Sequence, residues 1–115
     1  MPSLAERYAA MNNEDGNSRT GVLAEADELV NGERNNSYGP PRQDFQRTAT
    51  MWSAYLGIDI APHDVAALMS MLKISRIRWS PDKRDHWVDL AGYAACGWDC
   101  ARTIHDKGDA TDGID

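Results

Sequence analysis

Residues 62–101 read PHDVAALMSMLKISRIRWSPDKRDHWVDLAGYAACGWDCA. Pro62 suits the first turn of a helix, where its missing N–H is no loss, and Asp64 complements the positive end of the helix dipole. Val65, Leu68, Met69 and Leu72 then recur at helical spacing, predicting a helix to about Arg78 with those side chains inward. Ser80-Pro81-Asp82 supplies a cap and a helix-compatible proline. The stripe that follows is Trp87, Leu90, Ala91, Ala94, Trp98 and Ala101, on a helix to about His105.

Working outward, Pro41 opens a further helix with a stripe of Phe45, Thr48, Ala49, Trp52, Tyr55 and Leu56, closed by Gly57. Thr20 caps another, with Val22, Leu23, Ala26, Leu29 and Val30 inward and a stop at Gly32. Between these two helices, residues 33–41 hold two prolines, a glycine and two asparagines, the composition of a fixed loop. No segment alternates with period two, and no internal repeat is present. The prediction is an all-α fold, a compact bundle of about four helices, with residues 1–19 as an N-terminal arm and linker, 20–107 as the helical domain and 108–115 as a disordered tail. The arm includes a short helix over 4–11.

The bulk properties bound the function. A chain of 115 residues with 42% hydrophobic and 26% charged residues has the size and balance of one domain. A net charge of −6 and the lack of any Lys/Arg run set it against DNA and RNA. Cys96 and Cys100 lie one helical turn apart, a spacing ill suited to a disulfide, and are read as reduced thiols. No secretory leader and no apolar run of roughly 18 residues is present, so the expected location is the cytoplasm, of the host cell if a phage encodes the chain, without membrane contact.

Several residues do not fit a bland bundle. At about 100° per residue, Arg76 falls within about 20° of Val65 and continues the apolar face, whereas Lys73 lies about 80° away. An inward arginine needs an anion, either a carboxylate of the protein or a ligand phosphate. On the last helix Asp85, Asp89, Gly92 and Cys96 form one row nearly opposite Trp87, Ala94 and Trp98. Two aspartates followed by small residues leave room for another helix, a second subunit or a ligand. In the architectural reading, Asp85 or Asp89 pairs with Arg76 or Lys73 and joins two helices. In the functional one, the cations bind phosphate and the aspartates orient them, bind ribose or hold a metal. Arg34 and Tyr38 on the fixed loop add a guanidinium for phosphate and a ring for stacking. Glu25 and Glu28 form a Glu-x-x-Glu pair able to share a divalent ion. His63 and His86 lack zinc spacing.

The segments Leu-Val-Asn-Gly-Glu-Arg (29–34), Ser-Tyr-Gly-Pro-Pro (37–41), Asp-Val-Ala-Ala-Leu-Met-Ser-Met-Leu-Lys-Ile-Ser-Arg (64–76) and Arg-Asp-His-Trp-Val-Asp-Leu-Ala-Gly-Tyr (84–93) resemble a family of short phage and prophage proteins of unknown function. The resemblance covers roughly Val22 to Ala95. Its motifs fall on Arg34, Tyr38, Gly39, Lys73, Arg76, Asp85, Asp89, Gly92 and Tyr93. A more distant likeness is to the MazG-type all-α nucleotide pyrophosphohydrolases, which implies magnesium held by Glu25, Glu28, Asp85 and Asp89, although Asp-x-x-x-Asp departs from that family's Glu-x-x-Asp. The chain is also similar in kind to the nucleotide sponges with which phages counter host immune signals.

Binding asks only for phosphate donors, a stacking ring and ribose acceptors, whereas hydrolysis also needs a complete metal or acid–base set. The favoured reading is therefore sequestration of a nucleotide or nucleotide-derived molecule, with no cofactor. Its ligand-binding residues are Arg34, Tyr38, Gly39, Lys73, Arg76, Asp85, Asp89 and Tyr93. The alternatives are a magnesium-dependent nucleoside triphosphate pyrophosphohydrolase, and a non-enzymatic interaction protein whose Asp85 to Cys96 row packs on a second copy. A homodimer is expected in the favoured reading as well.

Overall fold

A computed structural model of the chain describes residues 2–3, 6, 16–32 and 37–111, with side chains up to residue 104. Most of the helix predicted over 4–11, the loop residues 33–36 and the last four residues lie outside the described residues. Within them the chain forms four helices and no strand, as the periodicity predicts: α1 (Arg19–Asn31), α2 (Pro41–Leu56), α3 (Pro62–Trp79) and α4 (Arg84–Thr111). Among the described residues, no helix is long and apolar enough to cross a membrane.

The helix ends follow local chemistry. Ser18, not Thr20, caps α1, its hydroxyl accepting from the Gly21 N–H at 3.0 Å. Pro41 and Pro62 occupy first-turn positions. Gly57 ends α2 in the left-handed conformation, φ 72°, and donates to the Ser53 carbonyl. The Ser53 hydroxyl accepts from Ile60 N–H at 2.8 Å and donates to the Ile60 carbonyl at 3.2 Å, fixing the turn into α3. Asp64 accepts from the Ala61 N–H at 2.9 Å, supplying the cap that alanine lacks. Pro81 and Asp82 lie in a turn, so α4 starts at Arg84, later than predicted. Once nucleated, a helix gains one hydrogen bond per added residue. Accordingly, α4 continues to Thr111, past the predicted end near His105 and into the expected tail.

The α3–α4 contact is the largest in the bundle, and α4 also packs on α1 and α2. The buried apolar residues are small: Ala24, Ala26, Ala49, Val65, Ala66, Val88, Cys96 and Cys100. This turns much of the predicted face of α4 outward, although Leu90, Ala91 and Ala101 of that stripe stay half-buried. Its packed side holds Val88, Gly92, Cys96 and Cys100, whereas Trp87 and Trp98 are 45% and 65% exposed and Ala94 is exposed. Close approach is the cause. A Cβ on Gly92 would lie 3.4 Å from Val30 of α1, and one on Gly97 would lie 3.1 Å from Ala66 of α3, so the neighbouring helices leave no space for indole rings. The Asp85 to Cys96 row thus packs, from Asp89 onward, within its own chain. Elsewhere Leu23, Leu68, Leu72, Tyr55 and Leu56, all predicted inward, are exposed.

Ion pairs tie α4 to the other helices. Arg84 bridges Glu25 of α1 and the Gly16 carbonyl. Asp99 accepts from Arg42 of α2 at 3.1 Å and from Arg102 at 2.9 Å. Burial opposes ionisation of Asp99, but the two guanidiniums outweigh it and hold the carboxyl below its ordinary value. Burial, reinforced by the Asp99 charge and opposed by Arg42, pushes the Cys100 thiol up. Cys96 and Cys100 are both buried and free of a disulfide.

A Cβ on Gly21 would stand 2.3 Å from the Gly16 carbonyl oxygen, which Arg84 anchors. Ala gains about 1 kcal/mol of helix propensity over Gly, but the backbone clash outweighs it. Gly21→Ala should destabilise the fold by about 1–3 kcal/mol in urea unfolding. Because the Asp99 carboxyl is depressed in the folded state, its contribution is full above about pH 4, the ordinary aspartate value, and is lost as pH falls through the lower folded value. The stability difference between wild type and Asp99→Asn should therefore be constant near neutrality and shrink in unfolding curves recorded at progressively lower pH.

Candidate functional site

The C-terminal half of α1, the approach to α2 and the facing flanks of α3 and α4 enclose a cleft of about 420 Å³. Leu29, Val30 and Val88 give it an apolar floor, and Gly92 and Cys96, being small, leave its volume open. Tyr38, Phe45 and Tyr93 supply three rings. Phe45 and Tyr93 have centroids 6.4 Å apart at 39°, a tilted aromatic pair. Gly39, at φ 83°, turns the chain in a conformation other residues rarely adopt, and so sets Tyr38 beside the cleft. Arg47 donates to the Tyr38 carbonyl and lies 3.5 Å from Asp44, bracing that rim.

The polar centre of the cleft is an ion pair. Lys73 Nζ lies 2.7 Å from Asp89 Oδ2, with the two side chains only 12% and 29% exposed. In this setting the charges are held out of bulk water and each depends on the other. Asp44 lines the same space.

Of the residues singled out in the sequence, the fold brings Tyr38, Gly39, Lys73, Asp89 and Tyr93 to this cleft. Arg34 lies outside the described residues. Arg76 and Asp85 are not brought there: both are exposed and neither lines the cleft. Val65 is buried as predicted, but its face of α3 is not covered as far as Arg76; the side turned to α4 runs from Ala66, against Gly97, to Lys73. The cation that turns inward is therefore Lys73. Its partner is one that the architectural reading named, so the pair joins two helices and forms the cleft wall together.

The acidic quartet is divided. Glu25 is engaged by Arg84, Asp89 by Lys73, Asp85 faces outward, and Glu28 is half-buried on α1 away from the cleft lining. Among the described residues no three His, Cys, Asp or Glu side chains converge as a metal site. Sequence reasoning missed Asp44, Phe45 and Arg84. Phe45 was legible as core, but nothing local marks Asp44 or Arg84, whose partners come from other elements.

Residues 21–101 match the family described as a domain of unknown function, DUF6378. The chain belongs to that family. It is 45% identical over 75 residues to the Gene 55 protein of Mycobacterium phage D29, covering 65% of this chain and 50% of that one. To the Gene 55 protein of Mycobacterium phage L5 it is 42% identical over 74 residues, covering 64% and 47%. The chain thus spans about half the length of the curated relatives it matches. No solved structure matches it. The motif resemblance to phage proteins of unknown function is confirmed, and the matched segment contains most of α1, all of α2 and α3 and most of α4, with every described cleft residue.

Lys73→Met keeps the apolar stem but leaves Asp89 half-buried and unpaired. It should cost about 1–3 kcal/mol in urea unfolding, whereas Arg76→Ala, at an exposed position, should stay within about 0.5 kcal/mol of wild type.

Proposed function

We propose that this phage-family protein binds a nucleotide or nucleotide-derived small molecule in the cleft and holds it without cleaving it, in the cytoplasm of the infected cell. The observation that carries the reading is the Lys73–Asp89 pair set in a wall of Tyr38, Phe45 and Tyr93. A volume near 420 Å³ suits a mononucleotide-sized ligand. The rings offer faces for a base, the Lys73 ammonium is a point-charge donor for a phosphate, and Asp89 and Asp44 are acceptors for ribose hydroxyls. A phosphate reaching Lys73 would share the ammonium, which has three N–H donors, with Asp89, whose other carboxylate oxygen is left for a ribose hydroxyl.

Sequestration is favoured over magnesium-dependent hydrolysis because three of the four carboxylates of a MazG-like quartet are spent on Arg84 and Lys73 or face outward, and the fourth, Glu28, does not line the cleft. The ligand class includes the cyclic nucleotides of host immune signalling.

The test is to incubate the full chain with nucleoside triphosphates, cyclic dinucleotides and cyclic ADP-ribose, with and without magnesium. Retained ligand is recovered by filtration, released by heat and analysed by mass spectrometry. One compound should be retained and released intact, with Lys73→Met weakening its binding about tenfold to a hundredfold and Arg76→Ala leaving it unchanged. Magnesium-dependent appearance of pyrophosphate or a monophosphate would replace sequestration by hydrolysis. No retained compound at any concentration up to the millimolar range would sink both.

A further inference from the structure

The side of α4 turned away from the cleft has a regular composition. Trp87, Ala91, Ala94, Trp98 and Ala101 are spaced four, three, four and three residues apart, the a/d rhythm of a helix–helix seam. The adjoining flank of α3 repeats it with Ala67, Met71 and Ile74. These residues would ordinarily form a core, yet Trp98 is 65%, Met71 57%, Ile74 54% and Trp87 45% exposed. Helices α1 and α2 cannot cover them, because both contact α4 through its other side, at Gly92 and Asp99.

We propose that this α3–α4 face is the dimer interface of the protein, and that its occupant is the same face of a second copy. The face has no acidic residue at any of these seam positions, so a two-fold axis would bring no carboxylates together. Its alternation of large and small residues is self-complementary: the indoles of one copy can seat against Ala91, Ala94 and Ala101 of the other. At these fractions Trp98, Met71, Ile74 and Trp87 expose on the order of 500 Å² per chain, as much as the largest patch of a typical monomer. Two copies paired over it would bury on the order of 1,000 Å², the size at which a specific interface begins. Pairing here completes a four-helix layer from two α3–α4 hairpins and leaves both clefts open on its outer sides. The face lies opposite the Asp85 to Cys96 row from which a dimer contact was expected.

The experiment is size-exclusion chromatography with light scattering on the full chain over a range of concentrations. The expected mass is twice the 12.8 kDa of one chain. Trp98→Glu and, on the same seam, Ala94→Arg should each give a monomer with unchanged helical circular dichroism, since neither side chain is buried within the chain. Tyr55→Glu, at an 89% exposed site on α2, should remain dimeric. A wild-type chain that is monomeric at about 100 μM, whether because its own arm or another partner covers the seam, would overturn the proposal. So would a dimer that survives both seam substitutions or dissociates only with Tyr55→Glu. Loss of helicity in one seam variant transfers the decision to the other, and loss in both would show that the seam packs within the chain.

Discussion

The structure depends on how closely α4 can be approached. Three helices converge on it, and they do so because its packed side is made of Val88, Gly92, Cys96, Gly97 and Cys100 rather than large apolar residues. At Gly92 the limiting neighbour is Val30, and at Gly97 it is Ala66. Small side chains trade buried area per residue for many short contacts. The ion pairs Arg84–Glu25, Lys73–Asp89 and Arg42–Asp99 then define the azimuth at which each neighbour sits.

The cleft is a consequence of the same constraint. Where Gly92 and Cys96 face the end of α1, the absence of bulk leaves space between helices, and the aromatic residues of α2 and α4 close it from the sides. Lys73 reaches this space because α3 is rotated to bring Ala66 against Gly97, and the residue two turns further along that face is the lysine. Rotating α3 by about 60° would instead present Arg76 and leave Asp89 without its partner. Architecture and candidate chemistry therefore share the same residues here, and a ligand would enter a site whose charges already balance.

A core of small residues also has a cost at the surface. The chain contains more large apolar side chains than its tight interior admits, and the excess stands outside on α2, α3 and α4. On the α3–α4 face that excess is patterned as a seam rather than scattered, which separates it from the isolated exposed hydrophobes common on any protein.

Helix number and most helix starts were legible in the sequence, because prolines, caps and glycines act locally: Pro41, Pro62 and Gly57 stand at the predicted ends. So was the set of unusual residues, of which Tyr38, Gly39, Lys73, Asp89 and Tyr93 meet in the cleft. The periodicity also separated α4 into two opposed stripes, Asp89–Gly92–Cys96 and Trp87–Ala94–Trp98. Only the tertiary structure decided which stripe is inside. Hydrophobicity ranks Trp above Gly, but burial within the chain is set by interhelical distance, which depends on residues of three other segments. The same long-range geometry turned Lys73 inward and Arg76 outward, since the axis facing α4 is a property of the packed pair and not of α3 alone.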